Sequence, residues 1–141
     1  MSYLSKKQTD KLLFSFLENI YQFQQLEFKI FNLNWQHIYF LQLIKKGKIS
    51  TITDASKLLN IELYQTSRIV SYMQKEGYVK KNQTINDKRS YIISITHKGI
   101  ETIEKIEKFN YKIISKNSKK IDDKQIKLIV LALKKIKEIL F

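Results

Sequence analysis

Residues 63–99 read LYQTSRIVSYMQKEGYVKKNQTINDKRSYIISITHKG, and the pattern of apolar side chains in this stretch changes at Gly77. Before Gly77 the apolar residues recur every three or four positions, as they do on one face of an amphipathic helix. After Gly77 the chain is rich in β-branched and aromatic residues, which favour strands, in two runs at residues 78–85 and 90–95. Polar residues separate the two runs. The stretch therefore predicts a helix over residues 63–76, followed by a β-hairpin with a charged tip.

The sequence on both sides of this stretch predicts further helices. The chain has no proline and only three glycines, so long helices are expected, and the glycines mark where elements end. Thr51 and Asp54 resemble a capping box at the start of a short helix. The apolar spacing predicts helices at residues 9–30, 34–46, 53–59, 97–118 and 122–141. We expect one domain with a mainly α fold and a small β-hairpin, in which a winged helix-turn-helix lobe at about residues 49–99 lies between long terminal helices.

Only two of the 26 basic residues are arginines, and both lie in the predicted winged-helix lobe. They are Arg68, in the helix, and Arg89, at the tip of the hairpin. The planar fork of arginine suits bidentate recognition of bases and phosphates, whereas lysine is a compact point charge. The placement of the two arginines therefore indicates that this lobe contacts DNA.

The helix over residues 63–76 has a packing face and a polar face. The packing face consists of Thr66, Ile69, Val70 and Met73. On the polar face, Gln65 and Arg68 are able to pair bidentately with adenine and guanine. A solvated helix face is the alternative interpretation. The face carries one arginine, several small hydroxyl side chains and almost no acidic residue, which favours contact with DNA. The predicted DNA contacts of this helix are Tyr64, Gln65, Ser67, Arg68, Ser71, Tyr72 and Lys75.

The hairpin turn carries three charged residues, Asp87, Lys88 and Arg89. A single arginine at a protruding tip suits a narrow, electronegative minor groove. Asp87 is placed to accept from Arg89 across the tight turn and so to fix the direction of the arginine side chain. Most turns of this composition are only solvated, so the residues that follow the turn decide between the two interpretations.

Together with those residues, the turn has the pattern Asp-x-Arg-x5-Ile-Thr-x-Lys-Gly over residues 87–99, which resembles the wing of the MarR family of bacterial transcription regulators. Residues 68–79 are similar to that family's recognition-helix signature of Arg-Leu-Val, a spaced Leu, and Gly-Leu-Val. The resemblance implies that Arg89 reaches the minor groove, that Asp87 orients it, and that Arg68 is the recognition-helix arginine. It also implies a homodimer held together by the first and last helices, which correspond here to residues 5–30 and 100–141.

The composition limits the class of partner. A formal net charge of +13 makes a polyanion the expected partner, with an acidic membrane surface as the second candidate. A compositional bias shared by the whole proteome is the alternative explanation of the charge. The chain has no cysteine, which excludes disulfides and thiolate metal sites. Charged residues interrupt every apolar run well short of the ~18 residues of a membrane span. We expect a cytoplasmic protein.

Catalytic and metal chemistry are not indicated by the sequence. The only histidines, His37 and His97, lie on separate predicted elements and belong to no recognisable motif. We therefore predict no enzyme, no metal site and no cofactor. Relatives in the MarR family accept small aromatic effectors between their dimer and DNA-binding lobes, and aromatic residues of the first two helices are candidates for such a pocket, although an aromatic stripe is more often core. The candidate residues are Phe14, Tyr21, Trp35, His37 and Tyr39.

Two functions follow from these observations. The first is a homodimeric, sequence-specific transcription regulator, a repressor by expectation, that binds a pseudo-palindromic, AT-rich site in double-stranded DNA. The second is an architectural or accessory protein that coats AT-rich DNA with little sequence preference through attraction between lysine and phosphate. A group of lysines far from the arginines supports the second function, and it consists of Lys119, Lys120, Lys124, Lys134, Lys135 and Lys137.

Overall fold

The structure is a computed structural model of the chain, and it describes residues 3–84 and 91–141. These residues form six helices and one two-stranded antiparallel sheet, so the predicted fold class is confirmed. In chain order the elements are α1 (Lys6–Phe31), α2 (Trp35–Lys45), α3 (Ile52–Leu59), α4 (Leu63–Lys75), β1 (Val79–Gln83), β2 (Tyr91–Ile95), α5 (His97–Ser118) and α6 (Asp123–Leu140). The predicted tip residues Asp87, Lys88 and Arg89 lie outside the described residues.

Side chains at the N-terminal ends determine where the helices begin. The predicted cap of α3 is present, because the Thr51 hydroxyl accepts a hydrogen bond from the backbone N–H of Asp54 at 3.1 Å. In four other helices the third residue reaches back to accept from the backbone N–H of the N-cap residue, which satisfies a donor that the helix itself leaves unpaired. These third residues are Gln8 of α1, His37 of α2, Gln65 of α4 and Gln125 of α6.

The chain divides into two compact units, Met1–Glu104 and Lys105–Phe141. In the first unit, α2, α3, α4 and the hairpin contact one another around a shared apolar core. Full burial of a large apolar side chain stabilises the folded state by ~1.5–3 kcal/mol, so this core supplies the main stabilisation of the winged helix. Its side chains include Leu33, Ile38, Phe40, Leu41, Ile49, Ala55, Val70, Met73, Val79 and Ile93.

The hairpin packs one of its faces on this core. Val79 pairs with Ile95 and Gln83 pairs with Tyr91, and the buried side chains of Val79 and Ile93 point to the same face. The backbone N–H of Ile93 also donates to the carbonyl oxygen of Ser50 across 2.7 Å. The connection between α2 and α3 therefore covers the edge of the hairpin, which fixes its position in the first unit.

The first helix and the last helix both expose many apolar side chains. Glu27 is the only buried residue among those described in α1, and α6 contains no described residue that is buried. The exposed apolar residues of α1 include Leu12, Leu13, Phe14, Leu17, Ile20 and Tyr21, and those of α6 include Leu128, Ile129, Val130, Leu131, Leu133 and Leu140. Among the described residues, none of the helices is both long enough and apolar enough to cross a membrane.

Candidate nucleic-acid interface

Helix α4 has the two faces that the sequence predicts. Its inner face is buried and consists of Thr66, Ile69, Val70 and Met73. On the outer face, Gln65, Arg68, Ser71 and Lys75 are exposed, and Tyr64 is 62% exposed. Ser67 and Tyr72 lie at the boundary between the two faces and are half-buried. The buried face holds the helix against the core, so the outer face is presented to solvent as a stable surface.

The side chain of Gln65 is already engaged at the start of α4. Its Oε1 atom accepts a hydrogen bond from the backbone N–H of Glu62 at 3.1 Å. This bond leaves the amide nitrogen of Gln65 as a free donor, but bidentate pairing with a base needs the oxygen as well. Pairing of Gln65 with adenine therefore requires this helix cap to open.

Tyr72 connects α4 to Asn32 and to His37 at the start of α2. Its hydroxyl donates to the backbone carbonyl oxygen of Asn32 at 3.1 Å. Its ring stacks on the imidazole of His37, with the ring centroids 4.6 Å apart and the planes 20° from parallel. Both contacts hold Tyr72 within the protein, so a DNA contact by this residue stays a prediction.

The surroundings of His37 favour the neutral form of its ring and one of its two tautomers. Its Nδ1 atom accepts from the backbone N–H of Asn34 at 3.3 Å, while its own backbone N–H donates to the Oδ1 atom of Asn34 at 2.9 Å. Partial burial lowers the pKa of His37 below its ordinary value of 6.5. Because Nδ1 accepts, the neutral ring carries its proton on Nε2.

An open cleft separates the start of α2 from the outer face of α4. Its volume is about 370 Å³, and its walls include the side chains of Arg68 and His37. Arg68 lies on the α4 side of this cleft and His37 on the α2 side. The lining residues are Asn34, Gln36, His37, Gln65, Arg68, Ile69 and Tyr72.

The base of the hairpin is fastened to the end of α4 by Thr96. Its hydroxyl donates to the carbonyl oxygen of Gly77 at 2.6 Å and accepts from the backbone N–H of Gly99 at 3.1 Å, which also caps the start of α5. The backbone N–H of Thr96 donates to the carbonyl oxygen of Tyr78 at 3.0 Å. A Cβ atom at Gly99 would lie 2.3 Å from that carbonyl oxygen, so only glycine fits there without a shift of the backbone. The Thr-x-Lys-Gly part of the sequence motif is therefore a structural joint.

Lys98 completes this joint from the first turn of α5. Its Nζ atom donates to the carbonyl oxygen of Glu76 at 2.5 Å and lies 4.7 Å from the centre of the Tyr78 ring. Glu76 caps the C-terminus of α4, where a positive charge interacts favourably with the helix dipole. Burial raises the pKa of the Tyr78 hydroxyl. Sequence reasoning assigned no role to Lys98, because its partners lie about twenty residues earlier in the chain.

The described part of the wing carries further polar groups on its strands. Asn82 of β1 donates to the hydroxyl of Ser94 on β2 at 3.3 Å, beside the exposed Lys80. On the other face of the hairpin, Lys81 lies 5.9 Å from the centre of the Tyr91 ring. The described strands thus carry polar side chains on both faces of the hairpin.

The five aromatic residues proposed for an effector pocket are divided among several places. Trp35 stacks on Tyr39 with ring centroids 5.0 Å apart. Trp35 also lines a cleft of about 190 Å³ together with Gln24, Gln25, Phe28 and Asn34. His37 faces the other cleft, beside α4, whereas Phe14 and Tyr21 are exposed on α1. The effector pocket stays a prediction.

Among the described residues, neither histidine belongs to a cluster that could hold a metal ion. The Nε2 atom of His97 lies 3.1 Å from the Oε1 atom of Glu101, on the surface of α5. Across residues 3–84 and 91–141, the side chains form no group of three or more histidine, cysteine or carboxylate residues suited to hold a metal ion.

Comparison with known proteins identifies the fold. Residues 33–99 match the family model of a winged helix DNA-binding domain. The HTH-type transcriptional regulator BilQ of Clostridioides difficile is 28% identical over 101 residues, which cover 72% of this chain and 68% of BilQ. A MarR family protein from Bacillus stearothermophilus superposes with a TM-score of 0.81 at 17% identity, over 98% of this chain and 96% of that protein. The chain therefore has the fold of MarR family proteins, with a winged helix DNA-binding domain at residues 33–99. Streptococcus pneumoniae FabT, solved in complex with DNA, superposes with a TM-score of 0.77 at 16% identity, over 96% of this chain and 97% of FabT.

The match to the winged helix model fits the geometry of the joint. The matched segment begins at the buried residue Leu33 and ends at Gly99, the residue that packs against the carbonyl oxygen of Tyr78. The segment thus contains the core of the first unit together with the bonds that fasten the wing to α4. Because this segment matches a DNA-binding domain, the polar surface of α4 and the wing is the candidate functional site.

Proposed function

We propose that the chain is a homodimeric repressor that binds a pseudo-palindromic, AT-rich operator. The exposed outer face of α4 carries this proposal. Arg68 and Lys75 lie on it with Ser71 between them, and its opposite face is buried in the core. In helix-turn-helix proteins this helix lies in the major groove, where arginine pairs with guanine and hydroxyls contact phosphates.

The wing supplies a second contact in this proposal. Arg89 enters the minor groove beside the major-groove site, with Asp87 orienting it and Lys88 near the phosphates. Narrow minor grooves occur in A-tracts, which is the physical reason for an AT-rich operator. The joint at Thr96 supports this role, because it holds the base of the wing to the end of α4. FabT, a protein of similar fold, has been solved in complex with DNA.

A dimer is supported by the apolar residues that α1 and α6 expose. Leu12, Phe14 and Leu17 of α1 are each more than half exposed, as are Leu128, Leu131 and Leu133 of α6. Exposed apolar surface on this scale marks an interaction site, and a two-fold homodimer is the commonest arrangement that covers such surface. Two copies then read two half-sites about one helical turn, ~10 base pairs, apart.

A small aromatic effector is a further part of the proposal. The stacked pair Trp35 and Tyr39 offers an apolar wall close to the connection between α1 and α2. Trp35 is the only tryptophan of the chain, so its fluorescence reports directly on this region. Quenching by benzoate that saturates, and that Tyr39→Ala weakens while Tyr3→Phe leaves it intact, supports the pocket. Quenching that rises linearly with benzoate concentration argues against it.

The test of the proposed function begins with selection of bound sequences from random DNA by the wild-type protein. A homodimeric repressor yields an inverted repeat, sediments as a dimer on this DNA and lowers transcription from a promoter that contains the repeat. The alternative, a protein that coats AT-rich DNA, is favoured by the net charge of +13. Recovery of AT-rich DNA without a common motif would decide for the coating function.

A further inference from the structure

The second half of α5 carries a row of lysines on one side. The row consists of Lys105, Lys108, Lys112 and Lys116 of α5 and of Lys119, which follows directly after the helix, and it is called the α5 lysine face below. All five side chains are exposed. At 3.6 residues per turn they lie within an arc of about 80°, and at a rise of 1.5 Å per residue the row is about 21 Å long. The five charges therefore form one straight stripe and are not spread around the helix.

Acidic residues lie only at the N-terminal end of this stripe, where Glu101 and Glu104 come one turn before Lys105 and Lys108. The carboxylates of α5, those of Glu101, Glu104 and Glu107, all precede Lys108, and residues 108–121 contain no acid. Glu101 is paired with His97. Within the part of the chain that the structure describes, no carboxylate lies within 4.0 Å of the ammonium groups of the α5 lysine face. Like charges at this spacing destabilise a helix, so the part of the stripe without neighbouring acids, from Lys112 to Lys119, fits an anionic partner.

The stripe borders a shallow groove with hydroxyl groups. An open cleft of about 370 Å³ is lined by Lys108, Tyr111, Lys112, Ser115, Lys116 and Lys119. Tyr111 is 74% exposed, and Ser115 is half-buried beside it. Lysine, serine and tyrosine side chains are the groups that donate to phosphate oxygens in protein–DNA complexes. Base-reading groups such as arginine, asparagine and glutamine do not line this cleft.

We propose that the α5 lysine face is a second DNA-binding surface that holds duplex DNA through its phosphates alone. The proposal rests on the proposed function, in which α4 and the wing read the sequence. Duplex DNA carries one negative charge per ~1.7 Å of its axis, so a stripe of about 21 Å runs beside about 12 phosphate charges. A regular row of lysine charges suits the evenly spaced phosphates of duplex DNA. A single small anion is bound better by the planar, bidentate guanidinium of arginine, which the row lacks.

Such a surface has a defined signature in binding experiments. Each phosphate that a lysine neutralises steepens the dependence of log K on log salt by about 0.9, whatever the base sequence. Loss of the surface therefore weakens binding to the operator and to unrelated DNA by the same factor. The preference between the two kinds of DNA is left unchanged.

The experiment compares four full-length proteins by fluorescence anisotropy over a range of salt concentrations. The first is the wild type. The second carries Lys108→Gln, Lys112→Gln, Lys116→Gln and Lys119→Gln. The third carries arginine at these four positions, which keeps the charge. The fourth carries Lys124→Gln, Lys127→Gln, Lys134→Gln and Lys137→Gln in α6, which removes the same number of charges from another helix. Each protein is titrated with the operator selected from random DNA and with an unrelated duplex of equal length, and circular dichroism verifies its helix content.

We expect the α5 glutamine variant to lower the salt slope by about 2 to 4 on both duplexes, at about 0.9 per contact. The arginine variant and the α6 variant keep the wild-type slope. Equal slopes for the α5 and α6 glutamine variants would show that the effect depends only on the net charge of the protein. This result would overturn the proposal. A loss that affects only the operator would also overturn it. If the wild type binds neither duplex at low salt, the proposed function itself fails, which is a distinguishable result.

Discussion

The hydroxyl of Thr96 donates a hydrogen bond to the carbonyl oxygen of Gly77 across 2.6 Å, although the two residues are 19 positions apart. The hydroxyl oxygen of Thr96 also accepts a hydrogen bond from the backbone N–H of Gly99. One side chain thus connects the end of α4, the base of the hairpin and the start of α5. Since α4 and the wing are proposed to enter neighbouring grooves of the DNA, the geometry of this joint sets the spacing of the two contacts.

Replacement of Thr96 by valine is expected to destabilise the protein. Valine keeps the shape of threonine but leaves the carbonyl oxygen of Gly77 and the N–H of Gly99 without their partner, at a cost of ~1–3 kcal/mol. The free energy of unfolding, measured with urea, checks this value. Thr96→Ser retains the hydroxyl and serves as the control, with a smaller loss. A valine variant as stable as the wild type would show that the joint does not stabilise the fold.

Tyr72→Phe separates a positioning role from a phosphate contact. The variant keeps the ring that stacks on His37 but loses the hydrogen bond to the carbonyl oxygen of Asn32, which should cost ~0.5–1.5 kcal/mol of stability. We expect the salt dependence of DNA binding to stay unchanged. Lys75→Gln is the comparison, because loss of a phosphate contact there should lower the salt slope by about 0.9. A similar change of slope in Tyr72→Phe would assign a phosphate contact to Tyr72 instead.

His37 should make stability depend on pH. Burial lowers its pKa in the folded state below 6.5, so the unfolded state binds the proton more readily. The contribution of His37 to stability is therefore complete above pH 6.5 and is lost as the pH falls through its folded-state pKa. Protonation also removes the Nδ1 acceptor of the Asn34 N–H.

The matched variant is His37→Gln, because glutamine occupies the same position in α1, α4 and α6. It retains an acceptor for the helix cap but does not titrate. Urea unfolding at pH 7.5 and at pH 5.5 should show a smaller loss of stability on acidification for the variant than for the wild type. Equal losses would assign the acid sensitivity to other groups.

The order of the elements was predictable because local patterns determine it. The apolar spacing of α4, the threonine cap of α3 and the change of period at Gly77 are all properties of short windows, and the structure confirms them. The arginines were recognisable as candidate contacts because they are rare in this chain. Their binding roles stay predictions, and Arg89 lies outside the described residues.

The contacts that position the site were not predictable in the same way. Tyr72 and Asn32 are 40 residues apart, and Lys98 reaches a carbonyl oxygen 22 residues earlier. No local pattern indicates such pairs, because they depend on how the elements pack. Gln65 illustrates the opposite case, since its cap on Glu62 is local and its spacing resembles that of a capping box. Gln65 therefore has a capping role that competes with its predicted contact to DNA.

The two arginines should contribute to DNA recognition in different ways. Arg68 faces the base edges of the major groove in the proposed complex, where the four base pairs present distinct patterns of donors and acceptors. Arg68→Ala should therefore cost ~1–3 kcal/mol of affinity and relax the preference at one position of each half-site. Arg89 should sense the width of the minor groove, so Arg89→Ala should reduce the preference for A-tracts beside the half-sites and leave the central bases unchanged.

Selection from random DNA with each of the two variants measures both effects at once. Two different altered motifs, each still an inverted repeat with half-sites ~10 base pairs apart, are the expected outcome, because each variant loses a contact to a different groove while the dimer persists. Sedimentation of each variant verifies that the dimer is intact. If both variants yield the same altered motif, the division between base reading and groove width is wrong. If the wild type yields no motif, the lysine charges alone account for binding and the coating function is correct.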